Sequence, residues 1–324
     1  MMRRAGFETQ VPNRSNDLAA PRDFPVATSA TGDNDKMRIA SWSWGGRVHA
    51  GLVSADGREA TPLALPDASR GALTLIEMLV RGDSLPSPSG ARLPVEAIEL
   101  MAPLPKPLRS LFCVGRNYRA HAAELADSVF RTSLPAEDAW PIVFTKLAEC
   151  VVGPRDTVRL PGAAVTTQID YESELAVVIG RGGRDIPKSR AMEHVFGYTV
   201  VNDVSARDVQ VRHQQWDLGK SFDTFCPMGP WIVSADELDG RATRVRGWVN
   251  GELRQDGNTK DMIFDIPTLI ETCSRGITLH PGDVIATGTP SGVGMGFKPP
   301  KWLGAGDVVR VEIDGIGAIE NRFA

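Results

Sequence analysis

The sequence predicts a mainly β chain with short helices, an α+β fold. Two observations carry this. Gly and Pro are frequent, 32 and 23 of 324 residues, which places many turns along the chain. Between those turns the apolar segments are short and rich in Val and Ile, as strands are.

The elements follow in order. Residues 1–36 are polar, with Asn, Asp, Ser and Pro scattered through them, and read as a flexible tail. Residues 37–66 alternate in strand fashion, and Ala72 to Val80 is apolar enough for a short helix. Pro86, Pro88 and Pro94 interrupt regular structure after that helix, and Pro103, Pro105 and Pro107 form a stiff linker. The expected organisation is a tail over 1–36, a small β-containing N-terminal domain over 37–106 and a larger domain over 107–324. The larger domain opens with the strand Ser110–Gly115. A helix starting at Asn117 carries Tyr118, His121, Glu124 and Leu125 on one side. Residues 126–140 read as irregular. Strands are expected at 141–147, 169–180, 196–202, 228–233, 244–250, Val284–Thr287 and Val308–Ile313. Helical stretches are expected at 189–195, at 205–213 and from Pro267 onward.

Bulk properties exclude several function classes. The chain is 42% apolar and 23% charged, ordinary for a globular protein, and a core of this size needs no staples. Its net charge is −4 with both signs dispersed, which argues against nucleic acid as a partner. Cys113, Cys150, Cys226 and Cys273 are far apart and form no C-x-x-C pair, so a reduced, cytoplasmic setting is expected. Arg3 and Arg4 precede no apolar run, and no stretch reaches the roughly 18 apolar residues that span a bilayer.

The segment Ile169–Ile179 is the most informative. On a strand, Asp170, Glu172 and Glu174 point the same way. Such a row repels itself unless water covers it or a cation sits between its members. Carboxylates are ligands for hard cations such as Mg²⁺, Mn²⁺ or Ca²⁺, and a solvated acidic edge is the other reading. Asp203 ends the apolar strand Tyr198–Asn202, where it either caps the following helix or supplies a third carboxylate. His121 and Glu124, three apart on a helix, form either a surface pair or a base with its orienting carboxylate. Lys220, in the loop Gly219–Asp223, balances a carboxylate cluster, holds an anionic substrate or is simply solvated. The glycine-rich turn Ala286–Gly294 exposes N–H groups that cradle carboxylate or phosphate, yet it fits neither nucleotide-binding pattern. His194, His213 and His280 belong to no ligand-spacing motif and read as structural.

Taken together, these segments resemble the fumarylacetoacetate hydrolase family. The motifs stand in the family's order from about Leu111 to the C-terminus. Cys113-Val114-Gly115-Arg116-Asn117-Tyr118 precedes His121 and Glu124; Phe144-x-Lys146 and Asp170-Tyr171-Glu172-x-Glu174-Leu175 come next. Asn202-Asp203-x-Ser205-Ala206-Arg207-Asp208, Gly219–Asp223 and Gly288-Thr289-Pro290-x-Gly292-Val293-Gly294 complete the set. The resemblance implies a mixed β-sandwich roll with short helices at its rim. It implies Glu172, Glu174 and Asp203 as ligands of Mg²⁺ (or Mn²⁺), with Asp170 a neighbour and not a ligand. It implies His121 and Glu124 as the dyad that activates water, with Lys220 as a further catalytic, substrate-holding residue. Gly288, Thr289, Arg116 and Tyr118 fall at substrate-side positions, and a homodimer is expected.

The reaction this implies is hydrolysis of the C–C bond of a β-diketo acid, of acylpyruvate or fumarylpyruvate type, in the catabolism of aromatic or related organic acids. Cys113 to Arg119 contains no acid, which places the chain nearer the acylpyruvase-like branch than fumarylacetoacetase itself. A lid over 125–140 would set substrate choice. The alternatives are a lyase or isomerase on the same scaffold, by oxaloacetate decarboxylation or keto-acid tautomerisation, and a hydrolase or dehydratase of sugar-derived keto acids. A non-enzymatic metal-binding module ranks last, because it would have lost His121.

Overall fold

The computed structural model of the chain describes residues 36–124, 139–213 and 215–324. The expected tail, apart from Lys36, and residues 125–138 of the expected lid lie outside them. Among the described residues no helix is long and apolar enough to cross a membrane.

A twelve-stranded sheet forms the body. Across it run Leu93–Pro94, Glu59–Pro62, Arg47–Val53, Arg38–Trp44, Cys226–Ser234, Val195–Asn202, Ser173–Ile179, Val284–Ala286, Leu111–Gly115 and Ile142–Lys146. Glu99–Met101 pairs with Arg38–Trp44, and Val151–Val152 with Cys226–Ser234. The strands before residue 106 extend this same sheet: Arg38 lies opposite Val233 and Ile39 opposite Ile232. A second, four-stranded sheet has the order Glu252–Asn258, Arg244–Val249, Val308–Ile313, Gly317–Arg322. The mainly β expectation therefore holds.

Alternation along one strand shows how the layers pack. Leu175, Val177 and Ile179 join Val245, Val249, Val309, Val311 and Ile313 of the smaller sheet in one buried cluster. Ala176 and Val178, on the other face, join Leu73, Leu75 and Ile76 of the helix Ala72–Val80 in a second cluster. The Ser173–Ile179 strand is thus buried on both faces, which explains its continuous apolar run. Each such Leu, Ile or Val contributes about 1.5–3 kcal/mol, so this strand is a rigid platform for the groups it carries.

Four elements differ from expectation, among them the helix expected from Asn117, which starts at Arg119 and leaves Tyr118 outside it. The strand over 169–180 is split into Ile169–Asp170 and Ser173–Ile179, because the chain changes partners between them. Ser205–Ala206 pairs with the first piece and Val195–Asn202 with the second. The helix over 205–213 accordingly starts two residues late, at Arg207. The stretch near 189–195 is a tighter 3₁₀ helix, Lys188–His194. The helix expected from Pro267 is Ile266–Ser274, capped by Asp265, whose Oδ1 accepts the Thr268 N–H at 2.9 Å.

Candidate metal and catalytic site

The split strand delivers the acids. Glu172 sits in the break and Glu174 on the second piece, while Asp203 follows the neighbouring strand Val195–Asn202. Two bonds lock the crossing: the Asp203 N–H donates to the Glu172 carbonyl at 2.9 Å, and the Glu172 N–H to Asn202 Oδ1 at 3.1 Å. One carboxylate oxygen from each of Glu172, Glu174 and Asp203 lies within 4.8 Å of the others, and all three residues are buried.

Three buried cations answer this charge unevenly. Lys220 ends the short helix Asp217–Lys220 and donates to Glu172 Oε2 at 2.5 Å and Asp203 Oδ2 at 2.7 Å. Arg207 donates from Nη2 to Glu172 Oε1 at 2.7 Å and from Nε to Asp170 Oδ2 at 2.9 Å. Lys146 lies 2.8 Å from Asp203 Oδ1 in an ion pair, yet that oxygen receives no hydrogen bond. Lys146 donates instead to the carbonyls of Val204 and Lys220.

Burial opposes ionisation of Glu172, but Arg207 and Lys220 outweigh it and hold its carboxyl well below the usual range. Glu174 is different. Burial, followed by the charges of Asp203 and Glu172, pushes its carboxyl well above the usual range. Among the described residues it makes no ion pair, and its Oε2 accepts only the Gly288 N–H, at 3.0 Å. Glu174, a carboxylate without a cation, and an Asp203 oxygen that Lys146 approaches as an ion pair but not as a hydrogen bond are groups that a hard, oxygen-seeking divalent cation would satisfy. The donor set fits such an ion, and Glu172, Glu174 and Asp203 would hold it.

Asp170 is not part of that set. Its carboxylate is filled by Arg207 and by the N–H groups of Gly294 at 2.6 Å and Met295 at 3.1 Å.

The helix Arg119–Glu124 brings in the other partners. His121 Nδ1 lies 3.1 Å from Glu124 Oε2, and Glu124 Oε1 accepts the Gly292 N–H at 2.9 Å. His121 is buried and lines the same recess as Glu172, Glu174, Arg207, Lys220 and Thr289. With Nδ1 turned to Glu124, Nε2 is the nitrogen left for the recess.

The remaining sequence-derived residues separate. Arg116 lines the recess from a left-handed backbone, φ 56°, a strained conformation of the kind that collects at functional sites. Thr289 also lines it, while its hydroxyl donates to the Ser173 carbonyl at 3.0 Å and accepts from Gln255 at 2.7 Å. The Gly288 N–H is occupied by Glu174. Tyr118 is buried outside the lining, with its hydroxyl unbonded; burial and the nearby Glu174 charge disfavour its ionisation.

Sequence reasoning assigned no role to Arg207, Lys146, Gln210, Phe144 or Trp216. Arg207 was the most findable, since a buried acidic row demands a buried cation. Trp216 had one faint signal, a glycine: a Cβ on Gly115 would overlap its ring. Trp216 packs edge-on to Phe144 at 5.3 Å, and Phe144 carries the Lys220 ammonium 5.0 Å above its ring. This apolar wall dries one side of the recess.

Comparison with known proteins bears on the same segments. Residues 110–324 match the family model described as fumarylacetoacetate (FAA) hydrolase C-terminal. The chain is 51% identical over 227 residues to oxaloacetate tautomerase YisK of Bacillus subtilis, covering 70% of this chain and 73% of that one. It is 48% identical over 227 residues to mitochondrial oxaloacetate tautomerase fahd2 of Xenopus laevis, covering 69% and 68%. Among solved structures, a fumarylacetoacetate hydrolase of Exiguobacterium antarcticum superposes with a TM-score of 0.77 at 41% identity, over 89% of this chain and 99% of that one. A 2-hydroxyhepta-2,4-diene-1,7-dioate isomerase of Mycobacterium marinum gives 0.70 at 32% identity, over 89% and 98%.

Proposed function

The chain belongs to the fumarylacetoacetate hydrolase family, and within it we propose that it is a divalent-metal-dependent tautomerase of a short 2-oxo dicarboxylic acid, oxaloacetate by preference. The observation that carries this is a base dyad and a three-carboxylate ligand set facing one small recess. The two curated relatives named as oxaloacetate tautomerases support the choice of substrate.

Mg²⁺ or Mn²⁺, held by Glu172, Glu174 and Asp203, would supply Lewis-acid polarisation of the 2-oxo group. His121 Nε2 takes the proton from C3, and the electron pair moves toward the 2-oxo oxygen. Glu124 fixes the His121 tautomer through Nδ1 and steadies the positive charge that forms. Lys220 neutralises the carboxylate next to the oxo group, and Arg116 grips the distal one. Phe144 and Trp216 exclude water, which strengthens these contacts.

A second reading is hydrolysis of a β-diketo acid, since the same dyad is equipped to deprotonate water. The test is a substrate panel. Metal-loaded protein is mixed with oxaloacetate, acylpyruvates and fumarylpyruvate, and the enol absorbance is followed beside product analysis. Faster approach to keto–enol equilibrium with carbon skeletons intact supports the tautomerase. Cleaved products from the diketo acids, with no effect on oxaloacetate, would select the hydrolase. A cytoplasmic homodimer is part of the same proposal, supported by the family likeness and by the four free, buried thiols.

A further inference from the structure

The His121–Glu124 pair stands between two hollows. His121 lines the metal-side recess. Glu124 lines a different, open cleft of about 420 Å³, together with Arg254, Asp256, Ser291 and Phe297. Among the described residues, no lining side chain is shared between the two. The pair also grades from dry to wet: the His121 side chain is 3% exposed and that of Glu124 17%. Gly296 lets the outer cleft reach the carboxylate, because a Cβ there would overlap Glu124 Oε1. The Arg254 guanidinium, stacked 5.7 Å from the Tyr171 ring centre and 5.8 Å from that of Phe297, walls the cleft with positive charge.

We propose that Glu124 is the exit of a proton relay, carrying the substrate's proton from the metal-side recess to solvent in the outer cleft. This rests on the tautomerase reading above. The balance is simple. His121 Nε2 gains the C3 proton, His121 Nδ1 loses its proton to Glu124 Oε2 across 3.1 Å, and Glu124 passes it to water. The enolate oxygen then takes the Nε2 proton while water returns a proton through Glu124 to Nδ1, so C3 loses one proton, the 2-oxo oxygen gains one, and His121 recovers its starting tautomer. The reverse sequence delivers a solvent proton to C3.

The relay is tested by plugging the outer cleft while leaving the dyad intact. Ser291→Trp fills it from the glycine-rich turn, and Asp256→Trp from the Glu252–Asn258 strand. The full chain loaded with Mg²⁺ is assayed with oxaloacetate. We expect kcat to fall about tenfold or more, within the range that proton-transfer groups contribute. KM and Mg²⁺ affinity should stay native, and the solvent deuterium isotope effect on kcat should rise, which a merely structural change would not cause. A folded, Mg²⁺-binding plug variant with native kcat and isotope effect overturns the relay. The native enzyme provides an arm that needs no variant. Its kcat against deuterium fraction should bow downward, because more than one proton moves; a straight line overturns the relay. Native protein that binds Mg²⁺ but leaves oxaloacetate untouched overturns instead the substrate reading beneath it.

Discussion

Replacing Arg207 with methionine isolates the electrostatics of the site from its chemistry. Arg207 is buried and donates to Asp170 at 2.9 Å, Glu172 at 2.7 Å and Gln210 at 3.2 Å. Methionine keeps most of the length and loses the charge. Asp170 retains its three backbone N–H donors, from Tyr171, Gly294 and Met295, and Glu172 retains Lys220, so neither acid is bare. Breaking one partner out of a buried ion cluster costs about 3–5 kcal/mol. Glu172 then depends on Lys220 and on any bound cation. Mg²⁺ at about a hundredfold excess over its Kd should return about 2.7 kcal/mol, provided Arg207 is not itself needed to aim the ligands. The assay is urea unfolding of native and Arg207→Met proteins, each with Mg²⁺ and with chelator. Adding Asp170→Asn to the variant should recover part of the loss, because one uncompensated charge is removed. A loss below about 1 kcal/mol in chelator would be the value of an exposed ion pair, and would refute the buried cluster as described.

Glu174→Gln should stabilise the metal-free protein at neutral pH and abolish Mg²⁺ binding. The folded carboxyl is held well above its ordinary value of 4.5 by burial and by Asp203 and Glu172. The folded state therefore keeps a proton that the unfolded state has lost, and metal-free native stability falls as pH rises above about 4.5. Thermal melts across pH check the sign; a native stability that rises over this interval, or a destabilised variant, would refute it. His121→Ala should lower kcat by about 10²–10⁴ while Mg²⁺ affinity, read by calorimetry, stays native. Equal losses in both would show that His121 serves the ligand set. Gly296→Ala should press on Glu124 and reduce kcat with little change in Mg²⁺ affinity, read by the same pair of assays; unchanged kcat would show that the carboxylate gives way freely.

The fold class and the acidic triad were legible because both are local signals. Short Val- and Ile-rich runs between Gly and Pro mark strands, and alternation places Glu172 and Glu174 on one side. Alternation also placed Asp170 there, and the break at Tyr171–Glu172 was not legible. It arises where the chain exchanges one partner strand for another, a pairing set by residues about thirty positions away. Lys146 was illegible for the same reason. It reads as an ordinary strand-end lysine until the fold sets it against Asp203, 57 positions along the chain, with Nζ at 2.8 Å.

The glycine-rich turn gives the sharpest difference between pattern and structure. Its exposed N–H groups suggested a cradle for a ligand's carboxylate. They do cradle carboxylates, but the protein's own. The Gly288 N–H holds the metal-side acid Glu174, the Gly292 N–H holds the dyad acid Glu124, and the N–H groups of Gly294 and Met295 hold Asp170, the anchor of Arg207. One segment thus fixes the ligand set, the base and the principal countercharge relative to one another. Gly288 and Gly292 take φ values of 99° and 102°, a region that side chains rarely adopt, and this curvature turns successive N–H groups toward acids from separate elements. Side-chain anchors would leave the three acids free to shift independently. Backbone anchors on one rigid turn make their spacing a property of the fold, as a site that moves a proton across about 3 Å requires.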